Sequence, residues 1–349
     1  MGDLSAERIK ELDVSNMAED IAAMPDHLRD ALWRVESAAI APQDSPGGLI
    51  VAGMGGSAAG GMLAATVLGD RASRPVAVSR GYMLPSWTSA DTTVLCSSYS
   101  GTTEETLAAF EAAGVIGARR IVATTGGPLA EMARAEGVPV IPMPAALQPR
   151  SAIGYMLVAA LEAAALCGAA DRIHTEIDVA AAHMEPLVAE WGPGGPAESE
   201  ARALATALDG RIPVVVGADA TASVAYRWKT QINEDAEIPA FNSELPEADH
   251  NEIVGWGGAE GLGKFALVVL GDSDSHPRER ARLDITAELV EQAGIPVHRV
   301  ESRGETRIER ILSLVLLGDF VAFYLGIQRG IDPTPVDAIS ELKLRLSQA

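Results

Sequence analysis

Hydroxyl groups crowd into one short stretch of the chain, SSYSGTTEETL from Ser97 to Leu107, directly after an apolar run of strand length and directly before a helical pattern. Ser98, Ser100 and Thr103 can each donate a side-chain hydrogen bond, Gly101 permits a close backbone approach, and the helix that follows adds unpaired N–H groups. A second such turn is LIVAGMGGSAAGG, from Leu49 to Gly61, where Gly55, Gly56 and Ser57 follow four apolar strand formers. A strand that ends in glycines and enters a helix leaves N–H groups unpaired and turns the positive end of the helix dipole toward an anion. Gly53, Gly55 and Ala58 also fit the loose dinucleotide fingerprint G-x-G-x-x-G/A, so this turn alone leaves the anion open. The hydroxyl loop discriminates, because a dinucleotide does not need it, whereas the three oxygens of a phosphate monoester dianion do. Helix capping by Thr102 or Thr103 is a simpler use of one hydroxyl and can hold alongside.

Four more side chains offer acid–base or electrostatic chemistry. Glu234 lies in the polar helical stretch RWKTQINED, where the neighbouring Asp235 and Glu237 make a solvated surface acid the plain reading. His250, in EADHNEIVGW, is flanked by Glu247, Asp249 and Glu252, acids that would orient an imidazole and favour its charged form. Arg150, in QPRSAIGY, stands just before a predicted helix, where a cation opposes the dipole, so a ligand role suits it better than capping. Lys343 is carried on VDAISELKLRL, with Ile339, Leu342 and Leu346 at core-like spacing. The remaining histidines, His27, His174, His183, His276 and His298, lack metal-ligand spacing, and no metal site is expected.

These residues must be held by a scaffold, and the pattern of apolar runs indicates which. LIVAG, VAVS, VLCSS, RIVATT and VPVIPM alternate with helical segments such as GMLAATVLG, EETLAAFEAAG and PLAEMARAEG, which predicts parallel βαβ units covered on both faces. Texture changes at WGPGGPAESE, from Trp191 to Glu200, a linker or surface loop. Beyond it IPVVVGADATAS repeats the character of GLIVAGMGGSAA, and FALVVLGDSDS takes the place of TTVLCSSYSGTTEE, a weak internal duplication in which only the first half keeps the anion loops. The expected domains are residues 1–190, with the phosphate loops, and 191–349, with Glu234, His250 and the C-terminal helix.

Composition narrows the function classes. With 349 residues, 48% of them apolar, the chain is long enough for two cores. A net charge of −21 repels phosphate backbones and anionic membranes, so nucleic acid and membrane are unlikely partners. Two isolated cysteines, Cys96 and Cys167, read as buried and reduced, and the acidic helical start MGDLSAERIKELD lacks an export layout; a cytoplasmic location is expected. The apolar runs 151–170 and 311–327 are interrupted by Glu162 and Asp319, and are expected to be interior helices of an α/β fold.

GMGGSAAGG together with SYSGTTEET resembles the sugar isomerase (SIS) domain, and the two-domain layout resembles the bifunctional phosphoglucose/phosphomannose isomerases. The resemblance continues through RSAIGY, KTQINEDAEIPAFNSELPEADHNEIVGW, HPRERARLDIT and DPTPVDAISELKLRL. Thr102 stands where that family usually has Asn, leaving Ser98, Ser100 and Thr103 as phosphate donors. The resemblance implies an α/β fold of two SIS-type domains, each a mostly parallel sheet flanked by helices in three layers. It also implies interconversion of glucose 6-phosphate and mannose 6-phosphate with fructose 6-phosphate through a cis-enediol, without metal or other cofactor. In that scheme Glu234 shuttles the proton, His250 opens the ring from a partner subunit of a homodimer, and Arg150 steadies the enediolate. Lys343 matches the family's active-site lysine, Gly55, Gly56 and Ser57 join the phosphate site, and Thr334 and Ser340 are neighbours of the C2 hydroxyl. The rival reading is a non-catalytic sugar-phosphate sensor on the same fold. A basic helix-turn-helix segment is missing, and the chain has both Glu234 and His250 in their motifs.

Overall fold

The computed structural model describes residues 3–145, 147–346 and 348. Helices α1 (Ala6–Leu12), α2 (Met17–Ala22) and α3 (Met24–Ser37) precede a first alternating run. That run comprises β1 (Leu49–Ala52), α4 (Gly55–Leu68), β2 (Val76–Ser79), β3 (Thr93–Ser97), α5 (Glu104–Ile116), β4 (Arg119–Thr124), α6 (Gly127–Ala135) and β5 (Val140–Pro142). Helices α7 (Ile153–Leu166), α8 (His174–Trp191) and α9 (Glu200–Leu208) lead into β6 (Ile212–Ala218), α10 (Ala222–Asp235) and β7 (Phe241–Leu245). The chain continues with β8 (Phe265–Gly271), α11 (Pro277–Gln292), β9 (Val297–Glu301), α12 (Arg307–Gln328) and α13 (Asp337–Leu346).

Both sheets are parallel throughout, with the inner strands β1, β3, β6 and β8 buried along nearly their whole length and the edge strands β7 and β9 more polar. The first runs β2-β1-β3-β4-β5 and the second β7-β6-β8-β9. Taking β6 as the counterpart of β1, the second order is that of the first with its last strand removed, in keeping with the duplication in the sequence. The helices α4 and α10, which follow these counterpart strands, pack on each other between the sheets, α4 also against α7 and α10 against α12.

Length and composition suggest two cores, but the interior is organised otherwise. One continuous apolar cluster runs from β1, β3 and β4 through α4, α7, α10 and α12 to β6 and β8. Smaller clusters cover the outer face of each sheet. Helix α12 lies in the middle of this shared layer; it is long and apolar enough to cross a membrane, yet it is enclosed by the fold. Its start is fixed by a reciprocal cap in which Thr306 and Glu309 serve each other's backbone N–H. The opposite holds for α13. Its Ile339, Leu342 and Leu346, expected at core positions, are exposed in the single chain.

Charge enters the shared layer in two places. Arg227 of α10 grips Asp319 of α12 with Nε at 3.0 Å and Nη2 at 2.6 Å, both side chains buried. Arg150, in the turn before α7, has its Nε 2.7 Å from Oδ1 of Asp235, the last residue of α10. Removing one member of such a pair strands a charge in apolar surroundings. Asp319→Ala is therefore expected to destabilise the fold by about 3–5 kcal/mol, read as a lowered midpoint in chemical denaturation.

Asp235 is wholly buried, and that burial pushes its pKa up to about 7; Arg150 and Arg227 pull it down, while Asp319 and Glu234 push it up. A carboxyl whose pKa is higher folded than unfolded takes up its proton first in the folded state, so this group stabilises the fold as pH falls below 7 and weakens it above. Between pH 5.5 and pH 8 the difference is about 2 kcal/mol. Asp235→Asn should abolish that difference. Paired thermal melts at the two pH values are expected to show the variant faring better, relative to the unsubstituted protein, at pH 8 than at pH 5.5.

Candidate active site

The two anion loops converge at the carboxyl ends of β1 and β3, where the strand order of the first sheet reverses. This switch point is the place where open parallel sheets take ligands. Helix α4 begins at Gly55 and α5 at Glu104, and in neither does a side chain cap the first turn. The N–H groups of Gly55 and Gly56 thus have no intrahelical acceptor, and space is open above Gly55. Thr103 is the cap residue of α5 by its backbone, but its hydroxyl pairs with that of Ser98 at 2.8 Å rather than with the helix. Capping therefore does not account for the hydroxyl cluster. Ser98 is buried and takes the N–H of Gly101 at 3.1 Å, while exposed Ser100 pairs with Thr102 at 2.9 Å. Gly101 has φ +68°, and a Cβ there would overlap the carbonyl of Gly126, so the loop's tight turn needs glycine. Ser57 is buried, with its Oγ 3.7 Å from Sδ of Met156.

Arg150 is brought to these loops by close packing. A Cβ on Gly56 would lie 3.0 Å from the carbonyl oxygen of Pro149 and 3.7 Å from Cα of Arg150, so the turn carrying Arg150 rests on the first turn of α4. The Arg150 guanidinium is buried, and its Nη1 lies 3.8 Å from Oε2 of half-buried Glu234. Its Nη2 donates to the carbonyl of Pro333 and, at 2.8 Å, to that of Thr334. The Thr334 hydroxyl is buried and has no partner among the described residues. The solvated reading of the acids near Glu234 fails at Asp235, which is fully enclosed.

His250 is not brought to this cluster within one chain. The start of β7 is tied to the end of α10 by the Ala240 N–H donating to Oδ1 of Asn233 at 2.8 Å, which places Glu234 beside the beginning of that strand. His250 follows the far end of β7, which at about 3.3 Å per residue is roughly 15 Å away. The flanking acids do not orient it as the sequence suggests. Glu247 accepts from Asn251, Asp249 from Arg282 and Thr286, and Glu252 from Ser243. A groove of about 290 Å³ lies between this segment and α11, lined by Asp249, Ile253, Arg282 and Leu289. Lys343 is exposed on α13.

Sequence reasoning passed over Asp235, the Pro333 and Thr334 carbonyls and the Arg227–Asp319 pair. Asp319 did leave a signal, as the lone charge in the apolar run 311–327, which calls for a buried partner. Backbone carbonyls leave none. Among the described residues, no group of three or more His, Cys, Asp or Glu side chains is placed to hold a metal ion.

Residues 197–346 match the family model for the bacterial phospho-glucose isomerase C-terminal SIS domain. The chain is 38% identical over 303 residues to a bifunctional phosphoglucose/phosphomannose isomerase of Caldicellulosiruptor bescii, covering 86% of this chain and 89% of that one. It is 35% identical to the enzyme of the same name from Aquifex aeolicus, covering 86% and 91%. Among solved structures, a hypothetical protein from Thermus thermophilus superposes with a TM-score of 0.75 at 16% identity, over 98% of this chain and 93% of that one, which speaks to the fold alone. Two parallel three-layer units, glycine and hydroxyl loops at the switch point of the first, and extended identity to these relatives make the chain a member of the bifunctional phosphoglucose/phosphomannose isomerase family.

Proposed function

We propose that the protein is an aldose–ketose isomerase that interconverts glucose 6-phosphate and mannose 6-phosphate with fructose 6-phosphate. The observation that carries this reading is the placement of Glu234 and Nη1 of Arg150 side by side, 3.8 Å apart, next to two uncapped helix ends and a hydroxyl loop. A dianionic phosphate is held by the N–H groups and hydroxyls of Gly55, Gly56, Ser57, Ser98, Ser100 and Thr103. The sugar then extends toward Arg150. Glu234 takes the proton from one of the two carbons, C1 or C2, and returns it to the other, and Arg150 faces the oxygen on which enediolate charge develops. A planar cis-enediol has lost the C2 stereocentre, so both aldoses form according to the face that is reprotonated. Thr334 and Ser340 are the neighbours of that C2 hydroxyl in this scheme. With an imidazole to open the ring, these groups suffice without metal or nucleotide.

Ring opening needs an acid–base group near the ring oxygen, and His250 is out of reach of Glu234 in the same chain. The same reading therefore makes the protein a homodimer in which each site takes His250 from the partner subunit, with Lys343 completing the site. Residues 1–190 form the phosphate-holding domain and 191–349 the domain that supplies Glu234 and His250. The buried, reduced cysteines fit a cytoplasmic setting.

A coupled assay starting from fructose 6-phosphate tests the chemistry. The unsubstituted protein is expected to form both aldose phosphates with EDTA present, and Glu234→Gln to lose at least about 100-fold in kcat. Binding of fructose 6-phosphate without any turnover would favour the sensor reading instead.

Complementation tests the shared site. Glu234→Gln and His250→Ala homodimers should each be nearly inactive. Mixed after dissociation and reassociation, they should recover roughly a quarter of full activity, because half the dimers then carry one intact site. No recovery, with heterodimers formed, would place His250 outside the partner's site.

A further inference from the structure

The Arg150 guanidinium has three nitrogens, and the structure accounts for them unequally. Nε lies against Asp235 at 2.7 Å, and Nη2 serves the carbonyls of Pro333 and Thr334. Nη1 alone is left, and it points to the side of Glu234. The main chain of Arg150 is held as well, since its carbonyl accepts from Nη2 of Arg227 at 3.1 Å while Arg227 is gripped by Asp319. Asp235 in turn has Gln231 of the same helix 3.5 Å from its Oδ2. The guanidinium is held on one side by the ion pair with Asp235, which lacks hydrogen-bond alignment at Nε, and on another by the two carbonyls at Nη2, which leaves Nη1 toward Glu234.

We propose that Asp235 is a positioning residue that acts through Arg150: with the Pro333 and Thr334 carbonyls it fixes the guanidinium so that only Nη1 is presented to the reacting oxygens. This rests on the isomerase reading, in which Arg150 meets the enediolate oxygen. Donors aimed in advance at developing charge favour the transition state more than the bound substrate, and a misplaced fork forfeits that difference. The phosphate loops are untouched by Asp235, so ground-state binding should survive its replacement. Asp235→Asn keeps the shape of the side chain and removes its charge, which makes it the probe of this ion pair.

The experiment is a double-substitution cycle with Asp235→Asn, Arg150→Lys and the pair, assayed with fructose 6-phosphate. Asp235→Asn should lower kcat about 10- to 100-fold while KM stays within roughly threefold, and it should add less than about threefold in the Arg150→Lys background, because lysine has no fork to hold. Additive effects, or an unchanged kcat in Asp235→Asn, would overturn the proposal. Should Asp235→Asn not fold, Asp235→Glu, which keeps the charge and shifts it by one methylene, takes its place in the cycle. If the unsubstituted protein binds fructose 6-phosphate but converts none, the isomerase reading fails. The proposal then falls with that reading, whereas turnover with additive effects overturns the proposal alone.

Discussion

A guanidinium cannot be left unpaired in an apolar interior, and the structure around the candidate site is arranged to meet that requirement at Arg150. The side chain is almost fully enclosed, and its partners come from separate parts of the chain: Asp235 and Glu234 at the end of α10, and the Pro333–Thr334 segment after α12. Arg227 and Asp319 extend the same set of contacts into the shared core. The buried charges thus tie α10 and α12 to the turn before α7, and this turn rests on α4 through the missing side chain of Gly56. Loosening any of these members would move the donor that faces Glu234.

The two halves of the chain share a strand order yet contribute differently. In the first, the strand-to-helix turns carry glycines and hydroxyls, so helix ends are left open to a ligand. In the second, the corresponding turn after β6 is closed by Thr221, whose hydroxyl takes the Ala218 N–H and donates to the Ala218 and Leu270 carbonyls. The Ala218 N–H at that turn is thereby satisfied internally. What the second half supplies instead is the far end of α10, which delivers Glu234 and Asp235 across the shared core to the loops of the first.

An acidic protein of net charge −21 that takes a dianion must overcome its own field locally. The uncapped ends of α4 and α5 and the buried guanidinium of Arg150 are the fixed positive groups there. The same overall charge opposes binding to polyanions that lack such a fitted site.

Much of this was legible in the sequence because it is local. Alternating apolar runs and helical patterns indicated the layered parallel fold, and the glycine and hydroxyl turns marked the strand-to-helix loops at the switch point, since strand, turn and helix signals lie within a dozen residues of one another. The motif positions of Glu234 and Arg150 could be named by resemblance. Their meeting could not be derived, for they are 84 positions apart in a chain whose local pattern says only that each is polar. Tertiary structure alone decided that Asp235 is buried while its neighbour Glu234 is half open, that Nη1 is the free edge of Arg150, and that the apolar face of α13 is not covered within one chain. It also decided that His250 stands at the opposite end of β7 from Glu234. The reason is the same in each case: periodicity tells which face of an element is apolar, but which charged group is enclosed, and by whom, depends on how distant elements pack.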